Sequence, residues 1–331
     1  MTCDEFRFTG ISHVVTRPSL APGKGGRILG QQRFVSIGEC MIEMSGGEDR
    51  QYRLGYAGDT LNTAWYMRAL LGKDWSVDYF TGLGEDRYSG DIRAFLEANN
   101  IGTSHIRTVP GRRPGLYLIH QEKGDRHFTY WRDTSAAKLL ADDKDALAGA
   151  VKDAKVVYFS GITLAILAPR ARGRLLGAVV KARDAGARVV FDTNIRPALW
   201  TSPRVMTSVL TAAATLCDVV LPTHGDEAPL FGDKSIDDTA DRYLELGVEE
   251  VVVKDGAGEA LIATASERVR VAPKPGAKVV DATGAGDSFN GAYLSARLAG
   301  KSLQEAAENG HRVAGVVIGQ KGALVEPKLL V

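Results

Sequence analysis

The feature that most constrains the fold of this 331-residue chain is a rhythm that runs, breaks and resumes. From residue 134 onward, short β-prone runs at 156–160, 188–192, 218–221 and 250–254 are separated by segments of helical spacing. Such strand–helix alternation predicts a parallel sheet covered by helices on both faces. The chain starts in the same way. Residues 33–40 read as a buried strand, 59–71 as a helix with Leu61, Ala64, Trp65 and Ala69 on one side, 77–83 as a strand, and 86–98 as a helix. Asp59 or Thr60 is expected to cap the first of these helices. The break comes at 115–121 and 126–132, two β-prone runs around Glu122-Lys123-Gly124-Asp125, which is a hairpin signal; 51–56 also stands outside the rhythm. The expectation is one α/β unit over 33–331, with segments near 46–58 and 112–134 forming a small β lid beyond one end of the sheet. Ligands bind at the carboxyl ends of the strands in such sheets. Residues 1–32 carry no apolar run and are expected to form a flexible extension rather than a secretory signal.

Composition narrows the function. The 41 basic and 40 acidic residues leave a formal charge of +1, so no overall field draws the chain to nucleic acid or to a membrane. No segment approaches the ~18 apolar residues of a membrane span. Cys3, Cys40 and Cys217 lie far apart, without CxxC or metal-ligand spacing, which fits incidental thiols in a reducing cytosol. None of the six histidines belongs to a paired-histidine metal motif. A cytoplasmic protein with small-molecule partners is expected.

The chemistry concentrates near the C-terminus. β-prone residues around Val271 and at Val279 and Val280 lead into Asp281-Ala-Thr-Gly-Ala-Gly-Asp287-Ser-Phe-Asn-Gly291, and a helix should follow to about residue 299. Gly284 and Gly286 let the backbone turn sharply and a ligand approach closely. The NH groups of Ala285, Gly286 and Asp287 open the helix and, with its dipole, make an anion site. An aspartate there would repel an anion. Its presence makes sense if Asp287 stands beside a transferring phosphoryl group and takes the proton of the attacking hydroxyl, help worth ~10²–10⁴ in rate. In the plainer reading Asp287 only caps the helix. A bare Gly-Ala-Gly-Asp does not separate the two; the longer string favours catalysis. Other nucleotide signatures fail. Gly82-Leu-Gly84, Gly256-Ala-Gly258 and Gly284-Ala-Gly286 lack a third glycine, and Ala299-Gly300-Lys301-Ser302 has Ser295 where a P-loop needs glycine.

Taken with Gly38-Glu-Cys-Met-Ile-Glu43 and Ala57-Gly58-Asp59-Thr60-Leu61-Asn62-Thr63-Ala64, the loop resembles the C-terminal signature of the ribokinase (PfkB) family of sugar kinases. The resemblance runs from about residue 33 to 327. Pro114-Gly-Leu-Tyr117, Tyr130-Trp-Arg132, Ser160-Gly-Ile-Thr-Leu-Ala-Ile-Leu167 and Asp192-Thr-Asn-Ile-Arg196-Pro-Ala-Leu-Trp200 are most similar to the branch that phosphorylates 2-keto-3-deoxygluconate at its C6 hydroxyl. The resemblance implies a ribokinase-like, Rossmann-type sheet with a β lid, and ATP and Mg²⁺ as cofactors. It assigns Asp287 as base with Gly284, Ala285 and Gly286 beside it. It places Gly58, Asp59, Asn62, Tyr117, Tyr130, Arg132 and Arg196 on the sugar acid, and Asn194, Lys254, Gly256, Gly258, Gly284, Gly286 and His311 near the nucleotide. It also suggests a monovalent cation such as K⁺ near Asp281, and pairing of copies through the lid. Two departures stand out. The usual Gly-Gly is Ala57-Gly58, and the family's Asn-x-x-Glu reads Thr223-His-Gly-Asp226, so either Asp226 or the adjacent Glu227 serves the metal.

The arginines identify the substrate class. Their forked guanidinium groups match a carboxylate, and a neutral hexose would not require two of them. Alternation puts Tyr130 on the face of Arg132, although Tyr117 and Tyr130 suit a lid core or a dimer contact equally well. Lys254 could face solvent at a strand end, and without the resemblance His311 is an ordinary polar position. A fructokinase, a kinase for the galactonate epimer and a non-catalytic sugar-acid sensor are the competing readings; an intact base argues against the last.

Overall fold

A computed structural model describes residues 32–46, 51–122 and 125–330. Apart from Gln32, the expected extension lies outside these residues, as do 47–50 and the hairpin tip at 123 and 124. The main sheet has nine strands. From one edge to the other they are Arg268–Val271, Ala260–Thr264, Glu250–Val253, Val219–Val220, Arg188–Asp192, Val156–Ser160, Gln32–Ile37, Trp75–Phe80 and Ile101–Gly102. Pairing is parallel from Ile101–Gly102 across to Glu250–Val253 and antiparallel for the last two strands.

The strands are apolar almost throughout because both faces are covered. Their alternate residues feed two cores. Val35, Ile37, Val157, Phe159, Val189, Phe191, Val251 and Val253 pack on the face that carries the helices Lys144–Val151, Pro169–Asp184 and Pro203–Ala214. Phe34, Val156, Tyr158, Val190 and Val252 face the opposite way, toward Asp59–Leu70, Arg87–Ala98, Ala285–Leu298 and Leu303–Ile318. One residue of register slip would exchange the two cores.

A second sheet of four strands has the order Tyr52–Ala57, Met41–Gly46, Gly115–Glu122, Asp125–Trp131. This is the expected lid, with one correction: it begins at Met41, not at 46, because the chain leaves the main sheet at Ile37 and re-enters β structure four residues later. Two other expectations also fail. Val279 and Val280 form no strand and are 64% and 44% exposed. Neither Asp59 nor Thr60 caps the first helix, which Gly58 opens without a side-chain cap, leaving the Asp59 carboxylate for the cleft. Asp86 caps the next helix through Tyr88 and Ser89 as its position suggests. At the far edge of the main sheet, Arg268 pairs with Asp237 and Asp241, and Arg270 with Asp237 and Glu259.

Candidate active site

A cleft of about 950 Å³ opens between the two sheets. Its floor is made where strands end: Glu39 follows Gln32–Ile37, Asp192 closes Arg188–Asp192 with Asn194 and Arg196 beyond it, Thr223 and Asp226 follow Val219–Val220, and Lys254 and Gly256 follow Glu250–Val253. From its first strand the chain turns first toward Trp75–Phe80 on one side and only later toward Val156–Ser160 on the other. That reversal of strand order separates the flanking loops and leaves a crevice at their carboxyl ends. Met41, Tyr117, Phe128, Tyr130 and Arg132 of the lid form the roof, and residues 281–287 close one end.

At the closed end, Gly284 has φ 76°, and a Cβ there would stand 2.8 Å from the Ala323 carbonyl oxygen, so only glycine fits. It opens Ala285–Leu298 with no side-chain cap; the Ala285 amide, expected to face an anion, instead donates to the Ala282 carbonyl at 3.2 Å, which leaves the amides of Gly286 and Asp287 as the candidates for a ligand. Asn62 Nδ2 donates to Asp287 Oδ2 at 2.8 Å. Burial, then the neighbouring charges of Asp59 and Asp192, push the Asp287 carboxyl up to about 7, against the opposing pull of Asn62 and Lys254. Burial also raises the Asp59 carboxyl, to which Asn194 Nδ2 donates at 2.8 Å. Asn194 itself takes the unusual φ of 29°, a strained position tolerated best by glycine, asparagine and aspartate. Lys254 does not face solvent. It is buried, with Nζ 3.4 Å from Asp192 Oδ1 and 3.0 Å from Asn290 Oδ1, while Asn290 Nδ2 donates to Asp192 Oδ2 at 2.8 Å. Sequence reasoning missed Asp192 and Asn290 as site residues. Spacing offered a signal, since Asn290 follows Asp287 by three and so shares its helix face.

The nucleotide candidates divide. Gly256, Gly284, Gly286, Asn194, Lys254 and His311 line the cleft, whereas Gly258 does not and instead tightens a turn by donating its NH to the Asp255 carbonyl at 2.7 Å. His311 contacts the Val271 carbonyl through Nε2 at 2.9 Å and meets Phe289 edge-on; burial lowers its pKa, against the opposing pull of the Val271 carbonyl. Of the metal candidates, Asp226 faces the cleft 3.6 Å from Arg196, its carboxyl raised by burial. Glu227 is the correction. It is fully buried and accepts from Arg242 at 2.9 Å and from Tyr243 at 3.0 Å, since consecutive helical residues point in different directions. Among the described residues no three His, Cys, Asp or Glu side chains cluster to hold a metal ion. Of the two metal candidates Asp226 alone lines the cleft, and a single protein carboxylate is compatible with Mg²⁺, which keeps several waters and binds through substrate phosphates as well.

At the lid end, Tyr117 is buried and donates to Glu43; Tyr130 is half-exposed, with its ring 5.8 Å from that of Tyr117 and 5.8 Å from the Arg132 guanidinium. Gly58 is required because a Cβ there would lie 2.1 Å from the Glu39 carbonyl oxygen. The extra methyl of Ala57 is buried with Met41, Tyr117 and Ile119 in the lid core. The two arginines are not equivalent. Arg132 is ion-paired with the buried Glu39, a residue sequence reasoning did not select, whereas Arg196 is half-exposed.

A family model described as "pfkB family carbohydrate kinase" matches residues 31–328. A relative called 2-dehydro-3-deoxygluconokinase, from Escherichia coli strain K12, is 38% identical over 301 residues, covering 89% of this chain and 97% of its own. The crystal structure of a PfkB protein from Polaromonas sp. JS666 superposes with a TM-score of 0.76 at 27% identity, covering 90% of this chain and 99% of that one. A putative ribokinase II from E. coli, crystallised in complex with ATP and Mg²⁺, superposes with a TM-score of 0.74 at 24% identity, covering 88% and 94%.

Proposed function

The chain belongs to the pfkB family of carbohydrate kinases, and from that premise we propose that it phosphorylates 2-keto-3-deoxygluconate at the C6 hydroxyl. It is an ATP-dependent sugar kinase; the proposal concerns the sugar and the residues that handle it. The observation that carries the mechanism is Asp287, a carboxylate at an uncapped helix start, oriented by Asn62 and poised near neutrality. Asp287 takes the C6 hydroxyl proton as that oxygen bonds to the γ-phosphorus and the bond to ADP breaks. Amides of Gly286 and Asp287 stabilise the phosphoryl charge, and Lys254 reaches the same helix through Asn290. Asp226 would hold Mg²⁺, which when bound offsets phosphate charge. Asp281, whose carboxylate accepts from the amides of Thr283 and Gly322, is the candidate neighbour of a K⁺ ion.

Arg196 supports an acid substrate, because it is the cleft arginine with a half-exposed guanidinium. Asp59, Gly58, Tyr117 and Tyr130 complete the sugar pocket under the lid. The outer face of the lid carries Tyr52, Leu54 and Trp131, exposed and aligned by strand register, and fits a second copy of the chain. No helix among the described residues is long and apolar enough to cross a membrane. A cytoplasmic site of action fits the use of ATP and the buried free thiols Cys40 and Cys217. The test is ADP release with 2-keto-3-deoxygluconate, its galactonate epimer, fructose, ribose and adenosine. Turnover should be highest with the first; preference for a neutral sugar would overturn the substrate assignment.

A further inference from the structure

We propose that Glu39 reads the substrate, its Oε1 accepting a hydrogen bond from a secondary hydroxyl of the sugar. The inference rests on the sugar pocket proposed above. Glu39 is 1% exposed and lines the cleft two residues beyond the strand Gln32–Ile37. Its Oε2 accepts from Arg132 Nη2, yet its Oε1 has no hydrogen-bond partner, and neither has Arg132 Nε.

Among the described residues Glu39 Oε1 is the one buried carboxylate oxygen left without a partner. Glu250, 3% exposed, pairs with Arg297 in the core; its Oε1 accepts from the Tyr293 hydroxyl at 2.6 Å and its Oε2 from Arg297 Nη2 at 3.0 Å. Glu227 likewise takes Arg242 and Tyr243. A buried charged acceptor without a partner is costly, and here an orphan acceptor and an orphan donor belong to one ion pair. One half comes from the main sheet and the other from the lid, so what completes the pair arrives between them. A hydroxyl suits both atoms, because it donates one hydrogen bond and accepts another. A carboxylate does not suit them, since Glu39 would repel it, which assigns the C1 carboxylate to Arg196. Gly115 leaves the acceptor its space: a Cβ there would stand 2.8 Å from Oε1. In an open-chain 2-keto-3-deoxy acid phosphorylated at C6, the remaining hydroxyls are those at C4 and C5. A residue that reads one of them discriminates between epimers.

The test compares wild type with Glu39→Gln, and with Glu39→Asp, which keeps the charge but withdraws the oxygen. Each is assayed with the full substrate and with its 4-deoxy and 5-deoxy analogues, at saturating ATP, after thermal melts identify the folded variants. Removing a partner of a charged hydrogen bond to substrate should raise the sugar KM about 10–100-fold and leave the ATP KM within about twofold. Against one deoxy analogue, wild type and variant should agree within about threefold. A penalty of equal size for the full substrate and both analogues would overturn the proposal, as would a loss confined to kcat. If wild type prefers a neutral sugar, the acid reading fails independently, and the same cycle run with deoxy forms of that sugar still decides Glu39.

Discussion

The two ends of the cleft are built on different plans. At the proposed phosphoryl end, Lys254 and Asn290 bond to each other and to Asp192, Asn62 bonds to Asp287 and Asn194 to Asp59, so the side chains around the proposed base already hold one another in place. At the lid end, Arg132 and Glu39 meet across two sheets with one atom each unsatisfied, and Arg196 is held by the Ile195 carbonyl and by Asp226. A preorganised network favours the transition state, whereas an incomplete one gains its last contacts on binding. The first should therefore govern turnover and the second affinity.

The largest test of that division is Asp287→Asn. Turnover should fall by at least ~10², while calorimetry finds sugar binding within a few-fold of wild type; loss of both together would erase the distinction. Arg196→Ala is the counterpart at the other end. It should raise the KM for sugar acids about 10–100-fold, the worth of a charged hydrogen bond, and leave weak turnover of neutral sugars unchanged; equal loss for both classes would refute a carboxylate role. A smaller effect concerns pH. Asp287 acts as base only when ionised, so with a carboxyl at about 7 the rate should fall as pH drops through 7. Because the charge of Asp59 contributes to that raised value, Asp59→Asn should move the acid limb of kcat to lower pH; an unmoved limb would detach the base from its neighbour. The smallest effect is on stability. A carboxyl raised on folding favours the protonated form, so its ionisation weakens the fold increasingly as pH climbs from about 4 to 7. Asp287→Asn should thus raise the melting temperature by a few degrees at pH 8 and by less at pH 4.

The helix start at the proposed phosphoryl end was legible in the sequence because its parts are contiguous: two glycines, an aspartate and the helical run after them mark the opening of Ala285–Leu298. The parallel sheet was legible for the same reason, through runs such as Val156–Ser160. What escaped is what depends on distant partners. Glu39 and Arg132 are 93 residues apart in the chain, and nothing local in Gly38-Glu-Cys indicates that the glutamate will be buried under a lid. Glu227 and Asp226 are neighbours, and only helix phase, fixed by where His224–Phe231 packs, decides which one enters the core. Val279 and Val280 have β propensity but no open strand beside them, and tertiary context overruled propensity there.

The far edge of the nine-stranded sheet has a bearing on the life of the protein as a solution of many molecules. A sheet ending in Arg268–Val271 would offer its free backbone groups to any passing strand. Arg268 and Arg270 stand on that strand, pinned by Asp237, Asp241 and Glu259, so a chain that docks alongside must break a lattice of ion pairs. At the opposite edge Ile101–Gly102 gives a newcomer only two residues to grip. Both margins of the sheet are thereby made poor templates for fibrils, and the largest β surface of the described residues is kept from propagating beyond a single molecule.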